Sequence, residues 1–223
     1  MVQIRLGDVF FNRKAGRYQS KAGGFLSASD VDSILAAEEQ ALATRLENIA
    51  TRALRGKWDS GELERALKLE IKEASIQMAI AGAGGEKRIA QMNKKDLGKF
   101  YGGISGQLKD PYKRIERFTK KIAKGNLSEA EILARSRSYV NSVTPQFSKA
   151  QVFERRNAGV KLAKRMLDPT ANHCPACPQY ATEDFVPIEE IVPIGVACPC
   201  GRHCRCRIVF KGFGLSVRNG MIG

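Results

Sequence analysis

All six cysteines of this 223-residue chain lie between Cys174 and Cys206. The segment opens as Cys174-Pro-Ala-Cys177 and closes as Cys198-Pro-Cys200-Gly-Arg-His203-Cys204-Arg-Cys206. Two thiolates three positions apart can grip one ion from a tight turn. A second clip roughly twenty residues on can complete a tetrahedron, which is the pattern of a structural zinc site. One such ion takes four ligands, and six cysteines compete for it with His173 and His203. Cys174 and Cys177 form the first pair. Cys200 and Cys204, turned around Gly201, fit best beside them, and Cys198 or Cys206 can replace either. Six cysteines could hold two zinc ions only through bridging thiolates. Arg202, Arg205 and Arg207 surround the clip, where they can offset thiolate charge or touch phosphate.

Other chemistries compete for the same residues. Disulfides would suit a particle that is oxidised after synthesis. Cys174-Pro-Ala-Cys177 also has the spacing of a redox pair, but it follows a helix end rather than a strand feeding a helix. A catalytic zinc needs an open position and a nearby acid or base. Glu189 and Glu190 are at hand, yet cysteine-rich ligation favours a closed site. Both histidines of the chain lie in the cysteine cluster, which leaves little equipment for proton transfer. Neither a nucleophilic triad nor an acidic cluster spaced for two metals is legible, so the expectation is a protein that is not an enzyme.

A helical body must carry this module. Ser29, with Asp32 three residues on, predicts a helix start. Val31, Leu35, Leu42, Leu46, Ile49 and Ala53 then recur as one apolar stripe that ends near Gly56. Trp58 reads as a core anchor in the link. Asp59 and Glu62 predict a second helix, with Leu63, Leu67, Ile71 and Met78 inward, packed antiparallel to the first. The Ala81-Gly82-Ala83-Gly84-Gly85 run reads as a hinge or turn. Short helices follow from Glu86 and from Asn93 or Asp96. Tyr101 to Gly106 reads as a loop, and Asp110-Pro111 as a new helix start. Ser128 and Glu131 cap the next helix, and a last helix spans roughly Ser148 to Met166. Ile208, Val209 and Phe210 read as a strand returning under the clip.

The fold expected is therefore mainly α-helical. Residues 1–26 form an N-terminal arm or edge strand, with Val2, Ile4 and Leu6 alternating and Asn12 to Gly24 either a plain loop or an arm that orders against a partner. Residues 27–168 form the helical body, with long antiparallel helices. Residues 169–210 form a small cysteine-rich, zinc-knuckle-like module with short strands, and residues 211–223 a glycine-rich tail.

The formal net charge is +14, and residues 109–171 hold 15 Lys and Arg against 6 Asp and Glu. A basic middle of this kind is drawn to nucleic acid or to an acidic protein face, or it is simply a solvated helical surface. Lys113, Arg117, Lys120, Lys121 and Lys124 are the candidate nucleic-acid contacts. The longest apolar runs fall short of a membrane span, and Met1 opens no signal-peptide pattern. Synthesis in the cytoplasm, with reduced thiols and no membrane partner, is expected.

The chain resembles the head morphogenesis, or minor head, proteins of tailed bacteriophages, the family of the F protein of phage Mu. In that family an early Cys-x-x-Cys is followed by a Pro-containing link and a closing His-Pro-x-Cys-Arg-Cys. Cys174 and Cys177 match the early pair, and Cys204-Arg205-Cys206 matches the close. Gly201 stands where the family histidine would be, which favours Cys200 as the substitute ligand. The Gly125-Asn126-Leu127-Ser128 turn, Ile132, Arg135, Tyr139, Glu154 and Arg165 are also similar. The resemblance covers residues 109–208. It implies a low-copy structural protein of the virion. Its partners would be the portal and the major capsid protein in a symmetric particle. Its role would be in head assembly and, for some members, in packaging or ejecting double-stranded DNA. The alternative from a different class is a free nucleic-acid-binding packaging or regulatory factor with a structural zinc site.

Overall fold

The computed structural model describes residues 4–13, 15–197, 204 and 206–211. A β-hairpin, β1 (Val9–Asn12) and β2 (Arg17–Ser20), precedes six helices: α1 (Ala28–Leu54), α2 (Ser60–Ala83), α3 (Glu86–Ala90), α4 (Lys94–Ala123), α5 (Glu129–Ser138) and α6 (Pro145–Asn157). The chain then forms strand β3 (Leu162–Met166), the short α7 (Ala176–Tyr180), β4 (Val186–Pro187) and β5 (Arg207–Lys211). A mainly α-helical body followed by a small region of strands and clustered cysteines is the architecture expected.

Helix starts follow local side-chain chemistry. Asp59 and Glu62 form a reciprocal capping box on α2, and Ser128 and Glu131 form one on α5. The first helix begins two residues earlier than the Ser29–Asp32 pairing predicts. Ser27 caps it, with its N–H donating to Asp30 at 2.7 Å and its hydroxyl accepting from the Asp30 N–H at 3.1 Å. Asp32 instead lies 3.7 Å from Arg207 of β5. Trp58 is half-buried with the Arg52 guanidinium 5.3 Å from its ring, so it shields the link rather than anchoring the core.

The core is built on α2, which packs against α1, α4 and α6. Leu63, Leu67, Ile71 and Met78 are buried along it, and Leu42 and Leu46 face them from α1. The small-residue run is mostly helix, not hinge. Ala81 and Ala83 lie buried within α2, and the helix stops only where Gly84 takes a left-handed conformation at φ 108°. Gly82 has a packing role, since a Cβ there would sit 2.1 Å from the Phe147 carbonyl oxygen of α6. The two helices meet backbone to backbone at this point.

One continuous α4 replaces the predicted loop at Tyr101–Gly106 and the new start at Pro111. Phe100, Ile104, Leu108, Pro111, Ile115 and Phe118 return every three or four residues and are all buried. Packing of that stripe overrides the weak helix propensity of Gly98, Gly102, Gly103 and Gly106. Pro111 is accommodated as a buried residue inside the helix rather than at its start.

The N-terminal segment is also ordered differently from an arm awaiting a partner. Residues 1–3, including Val2, lie outside the described residues, and Leu6 lies in a short 3-10 turn. The basic stretch closes as the β1–β2 hairpin, docked on the helices. Tyr18 donates to the Gly82 carbonyl at 3.3 Å, accepts from Gln151 at 3.2 Å, and packs on Phe147. Arg13 and Arg88 both bond one oxygen of Glu154, which is 1% exposed. Beside it, Arg155 is buried with its guanidinium 3.3 Å from the Phe11 ring centre and 5.8 Å from that of Phe210. Burial pushes the Tyr18 phenol up and the Arg155 guanidinium down from their ordinary values.

Sequence periodicity predicts helix from Ser148 to Met166, but α6 ends at Asn157 and Gly159 reverses the chain at φ 87°. Leu162–Met166 becomes β3, the central strand of an antiparallel sheet ordered β4-β3-β5. Its inward residue Ala163 packs with Val160, Ile188 and Ile191 in a second, smaller core. The β5 strand expected at Ile208 to Phe210 is present and pairs along all of β3.

Two glycines should respond oppositely to alanine. Gly82→Ala drives a methyl into the α6 backbone and should destabilise the protein by about 3 kcal/mol. Gly102→Ala points into open space on α4 and should stabilise it by up to about 1 kcal/mol. Denaturant unfolding of the two variants measures both signs.

Candidate metal centre

Strand β3 positions the site. Its backbone leads directly to the first ligand loop, and its partner β5 begins one residue after Cys206. The Cys174–Cys177 turn is tight: the Cys177 N–H donates to the Cys174 carbonyl at 3.0 Å, and the two sulfurs lie 3.5 Å apart. Cys177 is fully buried and Cys206 nearly so, while Cys174 and Cys204 are half-buried. Leu167 and Ile194 pack around this sulfur cluster.

The sulfurs converge on Cys177. Its Sγ lies 3.5 Å from that of Cys174 and 3.8 Å from that of Cys204. It also shares a group with His173 and Cys206 whose ligand atoms all lie within 4.8 Å of one another. No disulfide joins any two of the four described cysteines. The arrangement can hold a metal ion through His173, Cys177 and Cys206, with the Cys174 and Cys204 sulfurs beside that of Cys177.

His173 is oriented for that role. Its Nε2 sits 2.7 Å from the Asp168 carbonyl oxygen, which can only accept. The Nε2 therefore carries the proton and leaves Nδ1 with the lone pair in the neutral ring. Arg165 supplies the neighbouring charge. Its side chain is fully buried, with Nη1 donating to the Val192 carbonyl at 3.0 Å and Nη2 reaching Cys204 Sγ at 3.8 Å. The ring of Tyr180 lies 5.4 Å from the same guanidinium. A fixed cation against a thiolate lowers the repulsion among several sulfurs gathered at one place.

Of the four residues first selected, Cys174, Cys177 and Cys204 are brought together, and Cys200 lies outside the described residues. So do Cys198, Arg202, His203 and Arg205. Cys206, considered only as a substitute, and His173, considered only as a competitor, both stand in the cluster. The signal for Cys206 is its two-residue spacing from Cys204 on chain leading into a strand, which sends both side chains to one side. Arg207, one of the arginines expected to offset thiolate charge or touch phosphate, lies 3.7 Å from Asp32 of α1. Arg165 stands beside the sulfurs with its charge, a place that helical periodicity over Ser148 to Met166 does not signal.

No family model, curated protein or solved structure matches the chain. The functional reading therefore rests on the residues themselves. Of the residues selected for nucleic-acid contact, Lys113, Arg117, Lys120 and Lys121 are exposed on α4 and Lys124 is exposed at its C-cap. No described helix is long and apolar enough to cross a membrane.

Arg165→Gln removes the cation and leaves the Val192 carbonyl and the Cys204 sulfur without it. Metal affinity should fall about tenfold or more, measured by competition with a chromophoric chelator.

Proposed function

We propose that this chain is a non-enzymatic minor structural protein of a tailed-phage head, with its C-terminal module closed by one structural zinc ion. The single observation that carries the reading is the convergence of Cys174 and Cys177 with Cys204 and Cys206. Those are the residues through which the sequence resembles the head morphogenesis family. Zinc suits the donors, because thiolates select soft or borderline ions and a closed set is structural. A tetrahedron with Zn–S bonds of about 2.3 Å has S···S edges of about 3.8 Å. The two sulfur pairs at 3.5 and 3.8 Å are close to that edge. The proposed place is the portal vertex or inner capsid face, with the portal or major capsid protein as partner and several copies in a symmetric particle. There the protein would assist head assembly and DNA packaging or ejection.

A second reading, a free nucleic-acid-binding packaging or regulatory factor, is favoured by a different observation. Wound at 3.6 residues per turn, Lys113, Arg117, Lys120, Lys121 and Lys124 fall within an arc of about 100°, opposite the buried stripe of α4. The two readings separate in purified heads. Retention of the chain after a high-salt wash supports the structural role. Release by salt, with binding stimulated by DNA, supports the second.

Elemental analysis of protein prepared reduced and without chelator should find about one zinc per chain. The paired substitutions Cys174→Ser and Cys177→Ser should abolish it and expose residues 169–211 to limited proteolysis. Protein that retains neither zinc nor any other metal before substitution removes the zinc reading. Replacing Lys113, Arg117, Lys120, Lys121 and Lys124 by Gln should weaken DNA binding and leave the helical circular dichroism unchanged.

A further inference from the structure

The cationic side of α4 does not stop at Lys113. Lys95, Lys99 and Lys109 lie on the same side of the helix, so eight cations occupy an arc of about 120° along roughly 45 Å. All eight are exposed. Glu116 lies at the edge of this arc and is turned aside to Lys68 of α2, 2.7 Å away. The hydrogen bond from that ammonium holds the Glu116 carboxyl below its ordinary range. Asp110 is the one acid within the arc. Between the two basic ends lie Gly102, Gly103 and Gly106, where an added Cβ would meet nothing within 4 Å.

We propose that the whole outer face of α4, from Lys95 to Lys124, is a docking surface for the phosphate backbone of a nucleic-acid duplex. The inference rests on the reading that the basic helix meets nucleic acid, and extends it to the N-terminal half of α4. Charge selects the occupant. A second copy of this face would bring eight cations against eight, so self-association here is opposed. A duplex offers a rigid line of negative charge as long as the helix. The bare backbone at the three glycines sits between the lysine groups, where the helix axis can approach the duplex most closely. Contacts of this kind go to phosphate rather than to base edges, so binding carries little sequence preference.

The test uses the full-length protein and a DNA duplex of about 30 base pairs, with affinity measured against salt concentration. Lys95→Gln with Lys99→Gln should weaken binding at least tenfold at low salt and flatten the log–log salt slope by about 2. Gly102→Gln with Gly106→Gln adds bulk without charge; it should also weaken binding while the melting temperature holds or rises, which excludes misfolding. Three results overturn the proposal in distinguishable ways. Unchanged affinity and slope in the Lys95/Lys99 variant confine the contact to residues 113–124 and leave the nucleic-acid reading standing. Unchanged affinity in the glycine variant removes the close approach at the centre. Failure of the unsubstituted protein to bind the duplex, or equal binding to polyglutamate, defeats the nucleic-acid reading itself.

Discussion

Everything in the C-terminal third depends on bringing Cys177 together with sulfurs from a segment 27 and more residues away. The protein core available there is small. Among the described residues, Val160, Ala163, Ile188 and Ile191 are its buried members, and β4 contributes only two residues to the sheet. Burial on that scale leaves a loop of this length weakly closed. An ion held by both segments would close it directly, because binding to a site that exists only in the folded chain adds to folding stability. Arg165 makes such a gathering of thiolates tolerable and anchors the loop through the Val192 carbonyl. The module is also tied to the body. Ile194 donates to the Ser148 hydroxyl of α6 at 2.8 Å, so the cysteine loop is referenced to the helices.

The helical body has its own organising element in α2. Helices on three sides of it share one core, and the direct backbone contact between Gly82 and Phe147 sets how closely α6 can lie. Since α6 then carries Glu154 and Arg155, this spacing also determines where the N-terminal hairpin and β5 can rest. A buried carboxylate bonded by two guanidiniums gives little net stability relative to an apolar pair, but it is demanding in geometry. It fixes the hairpin in one place.

Much of the body was legible in the sequence because its signals are local. The Asp59–Glu62 and Ser128–Glu131 boxes lie three residues apart, and the apolar stripes of α1 and α2 need only their own periodicity. What could not be read depends on partners distant in the chain. Gly102 and Gly103 look like loop residues until the opposite face of α4 is seen to pack along its full length. Leu162 to Met166 carries apolar residues compatible with helix, and only β5, some forty residues later, makes it a strand. In the site, the Cys-x-x-Cys turn was plain from spacing. Cys206 was legible only as a substitute ligand and Arg165 only as a point of family similarity, because their places in the site depend on β3 and β5 being paired.

Arg155 is in contact with aromatic rings near both ends of the described chain, Phe11 in the hairpin and Phe210 in β5. Its burial is therefore complete only once β5 has folded back and brought Phe210 to it. A nascent chain stalled anywhere before Phe210 would hold a half-dressed guanidinium and an apolar hairpin waiting for its last neighbour. Final locking of the β1–β2 hairpin is thus deferred until β5 arrives.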